Sequence, residues 1–216
     1  ADEFTSNVSN ALLLVAFVFV FGVLLLTGPI VKLFASGFSG RTFELAVGLT
    51  RISVFGICFT GLTNVFTGYL RWYGNFWIPA AIGLPLNLVI IGSLVLSAKT
   101  NVYTLAAGSV VATAAQLLLC CPFVRKVGYD HKLVLRLKDD RLIEMALIVL
   151  PVVIGTAVND INVLVDRTLA STIVVGGISA LNYANQVIGF VRGLVVSSVT
   201  MVLYPMISKM AVEGSM

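Results

Sequence analysis

Six apolar runs, each long enough to cross a lipid bilayer, constrain this 216-residue chain more than any motif within it. They lie at about 10–34, 44–70, 76–97, 101–124, 142–174 and 178–210. A helix rises about 1.5 Å per residue, so about 20 apolar residues cover the ~30 Å of hydrocarbon. Lipid offers no water to pair backbone N–H and C=O groups, which restricts spanning segments to helices or closed barrels. The alternation that barrel strands need is absent from these runs. The expected fold is therefore all-α, a polytopic membrane bundle of six transmembrane helices. The breaks between runs carry turn chemistry: Ser36-Gly37 with Ser39-Gly40, Tyr73-Gly74-Asn75, Lys99-Thr100-Asn101 and Gly176-Gly177.

Composition agrees with that class. Apolar residues make up 58% of the chain and charged residues 11%, whereas soluble domains carry about 45–50% and about 25%. The first run is not a removable signal: Asp2 and Glu3 precede it, it is too long, and no small-residue cleavage site follows. A net charge of +4 would point to nucleic acid in a soluble protein. Here the cations are sorted by side instead. One face holds Arg71, Arg125, Lys126, Lys132, Arg136, Lys138, Arg141 and Lys209, the other Lys32, Arg41 and Lys99. The positive-inside rule makes the first face cytoplasmic, together with both termini.

Residues 125–141 form the one linker and mix both charge signs. Its LVLRLKDDRLIEMALIV stretch is expected to continue as an amphipathic helix on the membrane surface. The chain then divides into residues 1–124 with four transmembrane helices, the linker 125–141, and residues 142–216 with two long ones. Those last two exceed a simple crossing, so tilts or bends are expected, with Pro151 and Pro205 as the places for them. A chain that opens on ADEFTSN without an initiator Met reads as a segment of a larger transporter.

Charged and amide side chains are threaded through the last two runs. An ionisable group at the bilayer centre costs about 3 kcal/mol on insertion scales, so its presence there marks a task. Asp160, Asp166 and Arg167 share one helix; Asp160 and Arg167 lie on one face two turns apart, and Asp166 points elsewhere. Two readings stand for Asp166: a proton or sodium site in the bundle interior, or an interfacial residue near the helix end. Asp160 is the second candidate carboxylate for an ion, and Arg167 reads as a structural partner to a carboxylate or a headgroup. Asn182, Asn185, Gln186 and Gly189 follow i, i+3, i+4, i+7, and Arg192 extends that stripe. Amides alone fit interhelical hydrogen bonding. With Arg192 added, the stripe reads as a cavity wall whose guanidinium holds an anionic headgroup through paired N–H donors.

Other features have structural readings. Glu44 and Arg51, seven residues apart, suit a structural ion pair near the membrane boundary. Pro85 with Asn87 marks a kink whose freed backbone is re-satisfied locally. Trp72, Tyr73 and Trp77 suit an interfacial aromatic belt. Cys58, Cys120 and Cys121 read as small buried hydrophobes, and His131 has no ligand partners in sequence. No metal-ligand cluster, nucleophile arrangement or phosphate loop points to an enzyme or a cofactor beyond a coupling ion.

Three segments, NDINVLVDRTLAS, GGISALNYANQVIGFVRGLVVSSVTMVLYPMISK and IPAAIGLPLNLVIIG, resemble the MurJ/MviN family of lipid II flippases. The likeness runs through the whole chain and is most specific in its last third. It implies a partial two-lobe exporter fold, with this chain matching helices three to eight of about fourteen. It further implies export of the undecaprenyl-pyrophosphate-linked peptidoglycan precursor, lipid II, across the bacterial cytoplasmic (inner) membrane by alternating access. Asp166 matches a position that carries an ion-site carboxylate in some members. Many members have an acidic-basic pair after Tyr-Ala, where this chain has Asn185-Gln186. Arg192, two turns onward, is the candidate substitute for the missing cation. Further family arginines belong to the first two helices, so this segment alone is not expected to transport. The alternatives are an efflux antiporter, an exporter of another lipid-linked glycan, and a non-transporting scaffold for cell-wall synthesis proteins.

Overall fold

The computed structural model describes residues 2–174 and 176–212, with side chains described as far as Val196. Among them there are eight helices and no strand: α1 (Asp2–Phe34), α2 (Gly40–Ser53), α3 (Gly56–Trp72), α4 (Trp77–Ala81), α5 (Gly83–Ser97), α6 (Val102–Lys126), α7 (Asp140–Ile173) and α8 (Gly177–Val212). Five stretches of described helix are long and apolar enough to span a membrane: Asp2–Phe34, Gly40–Trp72, Trp77–Ser97, Val102–Lys126 and Asp140–Ile173. The sixth expected span falls on α8, whose side chains at 197–216, Pro205 included, lie outside the described residues.

Two spans are interrupted, and each break has a local cause. Between α2 and α3 the ladder tightens to i→i−3 bonds at Phe55, Ile57 and Cys58, just around Gly56. Between α4 and α5 the chain breaks at Ile82, three residues before Pro85. Pro85 sits in the first turn of α5, where its missing N–H costs no helical bond. The carbonyls exposed at the break are taken by side chains: Gln116 Nε2 donates to Ile82 C=O at 3.1 Å and Asn87 Nδ2 to Gly83 C=O at 2.8 Å. The local repair expected of the Pro85–Asn87 kink is therefore present.

Proline acts differently from expectation elsewhere. α7 runs through Pro151 as one 34-residue helix, about 51 Å long at ~1.5 Å per residue. The non-helical residue falls instead in α1, at Leu26 (φ −103°, ψ 15°), three residues before Pro29. Proline there removes an N–H donor and presses on the preceding turn. Thr27 Oγ1 donates back to the carbonyls of Val23 and Leu24, at 2.6 and 3.1 Å, across that bend.

Two compact units divide the chain: residues 1–33 with 39–161, and residues 34–38 with 162–216. In the first unit α6 is the hub, packing against α5, α3 and α2. Gly108 makes the α5–α6 approach possible, because a Cβ there would overlap the Ser93 side chain. One apolar cluster joins Tyr69, Leu70, Ile78, Cys120, Val124 and Tyr129; a second joins Ala16, Val20, Val23, Val54 and Cys58. In the second unit the turn at residues 34–38 docks on the end of α7. Gly37 N–H donates to Ser171 Oγ at 3.1 Å and Thr168 Oγ1 to Phe34 C=O at 3.1 Å. A Cβ on Gly37 would overlap the Ser171 backbone, so glycine is required.

The linker departs most from expectation. The surface helix expected from LVLRLKDDRLIEMALIV does not form over its first half: residues 129–136 are irregular and α7 begins at Asp140. The start of α1 supplies the reason. Asn7 Nδ2 donates to Arg136 C=O at 3.0 Å, and Arg136 N–H donates to Asn7 Oδ1 at 2.7 Å. Asn10 Nδ2 reaches both Lys132 C=O and Val134 C=O at 2.9 Å, and Lys132 N–H donates to Ser6 Oγ at 3.2 Å. These side chains satisfy the linker backbone without a helix.

Candidate functional site

Within the membrane-spanning part of the chain, the groups expected to carry chemistry sit on α7 and α8. Asp166 and Arg167 lie on α7 seven and six residues before its end at Ile173, about 10 Å from it. Asp160 lies 13 residues before that end, about 20 Å from it. Six residues separate the carboxylates, which turns them about 240° apart around the helix, so they face different neighbours. All three side chains are exposed, and none makes an ion pair or side-chain hydrogen bond among the described residues.

α8 is unbroken from Gly177 to Val212, so the stripe read from its spacing is a physical stripe. Asn182, Asn185 and Gln186 stand about 8–14 Å from the helix start and Arg192 about 22 Å from it. All four are exposed, with no hydrogen-bond or ion partner among the described residues. Their apolar neighbours Val187, Ile188 and Phe190 are exposed as well, at 62–68%. Burial thus does not choose a face of α8; the amide-and-arginine spacing does. The arrangement can offer two or three amides to hydroxyl and amide groups and one guanidinium to an anion, all along one line.

Glu44 and Arg51 lie on α2, both exposed, and form no ion pair with each other. Seven residues put them two turns apart along the axis, about 10 Å, which is beyond contact unless both side chains bend inward. Among the described residues the ion pair is Arg136 with Glu3, at 3.1 Å, between the linker and α1.

The polar groups that the structure does bury were not among the expected site residues. Ser6, Asn7 and Ser9, at 0–1% exposure, line the start of α1 against the linker. Ser6 Oγ lies 3.1 Å from the Tyr129 hydroxyl, which lies 3.0 Å from His131 Nδ1. Tyr69 donates to Asp2 Oδ1 at 2.6 Å. Their one sequence signal was the polar DEFTSNVSN stretch directly ahead of an apolar run. Such a stretch ordinarily lies in water, and nothing local reveals the loop 120 residues away that covers it.

Comparison with known proteins adds an independent line. A family model described as lipid II flippase MurJ matches residues 1–215. The chain is 29% identical over 182 residues to the lipid II flippase MurJ of Burkholderia cenocepacia, covering 81% of this chain and 35% of that protein. It is 26% identical over 213 residues to the probable lipid II flippase MurJ of Vibrio cholerae, covering 93% of this chain and 40% of the relative. Against the Haemophilus influenzae protein of the same description it is 24% identical over 176 residues, or 80% and 34%. The chain thus spans between 34% and 40% of the length of these relatives.

Proposed function

This chain belongs to the lipid II flippase MurJ family, and we propose that it forms part of a transporter moving lipid II from the inner to the outer leaflet of the bacterial cytoplasmic membrane. In this reading residues 1–124 complete an N-terminal lobe, 125–141 join the lobes, and 142–216 open the C-terminal lobe. The observation that carries it is Arg192. It stands about 22 Å along an unbroken membrane-length helix, exposed, with amides on the same stripe. A guanidinium at that depth is tolerable when it faces a water-filled cavity or an anionic ligand.

The division of labour follows from donor chemistry. Arg192 presents paired N–H donors to a pyrophosphate, whose oxygens accept them in the planar geometry a lysine could not match. Asn182, Asn185 and Gln186 each donate and accept, which suits the hydroxyl and amide groups of a glycopeptide headgroup. Asp166 is assigned to the coupling ion, sodium or a proton, on the strength of its matched position. Asp160, on another face of α7, is not able to share that ion from the same side. Arg167 holds a carboxylate or headgroup near the outer end of α7.

The test is a full-length flippase carrying this segment in place of its own, expressed in bacteria depleted of the native protein. Outer-leaflet lipid II is the readout. Exposure that is restored and then collapses with Arg192→Ala or Asp166→Asn supports both the function and the roles. Restoration that survives both changes keeps the function and removes the roles. Folded protein in the membrane without lipid II exposure would turn the reading toward another lipid-linked glycan, an efflux substrate or a scaffold.

A further inference from the structure

The linker ends up presenting an apolar ridge at the basic end of the first unit. A tight turn, with Val134 N–H donating to Lys132 C=O at 2.8 Å, throws Leu133 outward to 93% exposure. Leu135 and Leu137 follow at 49% and 54%. Lys132, Arg136 and Lys138 alternate with these leucines and are exposed too. Backbone groups between them are held down by Asn7 and Asn10, so the alternation is fixed in place rather than free in a loop. Asn10 immediately precedes the first long apolar run, which puts the ridge level with the edge of the hydrocarbon.

The same end carries a second feature of the same kind. The turn between α3 and α4 shares an apolar core with Tyr129 at the start of the linker, through Leu70 and Ile78. From that turn Trp72, Phe76 and Trp77 stand out at 82%, 67% and 79% exposure. Exposed tryptophans and leucines interleaved with cations would be a liability facing water. At a bilayer surface they are the composition of an interfacial anchor.

We propose that this end of the molecule is a docking surface for the headgroups of anionic phospholipids. Leu133, Leu135 and Leu137 dip into the headgroup–acyl boundary, and Lys132 and Lys138 pair with lipid phosphates beside them, while Arg136 stays with Glu3 of α1 at 3.1 Å. Charge complementarity selects this occupant. The linker residues 125–141 hold six cations against Asp130, Asp139 and Asp140, with Glu3 of α1 paired to Arg136. The positive-inside rule puts this end at the cytoplasmic leaflet, the negatively charged one. The surface binds bulk lipid headgroups and is independent of the transported substrate, so it stands or falls apart from the flippase reading.

Hydrogen exchange tests it on the full chain reconstituted in nanodiscs of phosphatidylcholine alone or enriched in phosphatidylglycerol. The expected result is exchange over residues 131–138 slowed by about threefold or more in the anionic discs. Raising the salt to about 0.5 M should erase the difference, because phosphate–cation contacts at the surface are screened. The double variant Lys132→Gln, Lys138→Gln, which leaves the Arg136–Glu3 pair intact, should show one rate in both lipids. The salt titration needs no variant and so guards against a folding defect. Equal rates in the two lipids at low salt would overturn the proposal, as would a difference that persists in the double variant or at high salt. Protection that appears only on adding a soluble protein would assign the ridge to a protein partner and overturn it equally.

Discussion

The buried polar side chains at the start of α1 and the exposed ones on α8 are made of the same residue types put to opposite uses. Asn7 is 1% exposed and exchanges two hydrogen bonds with the backbone of Arg136. Asn185 and Gln186 are exposed and bond to nothing among the described residues. In the first setting an amide serves as a surrogate peptide group and closes off backbone that would otherwise be orphaned. In the second it keeps its donors and acceptors free. An amide that is already satisfied holds the fold together; one left open is available to a ligand or to another helix.

That contrast can be broken at several points. The largest effect is expected from Arg192→Ala in the full-length chimera, with lipid II exposure falling at least about tenfold, the scale of a lost charge-assisted contact. Its thermal unfolding midpoint should stay where it was. Asn7→Ala should do the reverse, costing about 2–4 kcal/mol because two backbone groups and a buried cavity are left unfilled. A lowered unfolding midpoint in detergent, with faster exchange across 131–136, is the check. Gly108→Val forces a branched side chain into Ser93 and should cost about 1–3 kcal/mol, read by the same melt. Gln116→Leu removes the donor to Ile82 C=O and should cost about 1 kcal/mol, with exchange at the α4–α5 break rising most. Smallest of all, Asn185→Ala should change stability by less than about 0.5 kcal/mol. A larger loss would mean the α8 amides are structural after all.

The limits of sequence reasoning are visible at particular residues. Span positions were readable because hydrophobic length is a local property, and the Pro85–Asn87 break was readable because proline chemistry is local too. The bend at Leu26 shows in the sequence only as Thr27-Gly28-Pro29 inside a long apolar run, and Pro151 makes no bend because α7 keeps helical dihedrals across it. The stripe on α8 was legible from spacing alone. The ion pair between Glu44 and Arg51 was not decided by spacing, since a shared face still left about 10 Å of axis between them. The linker misled for a different reason. Its alternating leucines and cations satisfy a helix locally, but its backbone partners lie more than 120 residues away in α1.

The sequence by itself determined the all-α membrane class and the positions of five helices long and apolar enough to cross a bilayer. Those follow from hydropathy and from helical period, neither of which needs a neighbour. Tertiary structure alone decided that α6 is the hub of the first unit, that Gln116 repairs the break at Ile82, and that Ser6, Asn7 and Asn10 hold the linker in an irregular path. Each of these depends on groups meeting across the fold, packed helix faces in the first case and donors with acceptors in the other two, and sequence distance carries no record of that meeting.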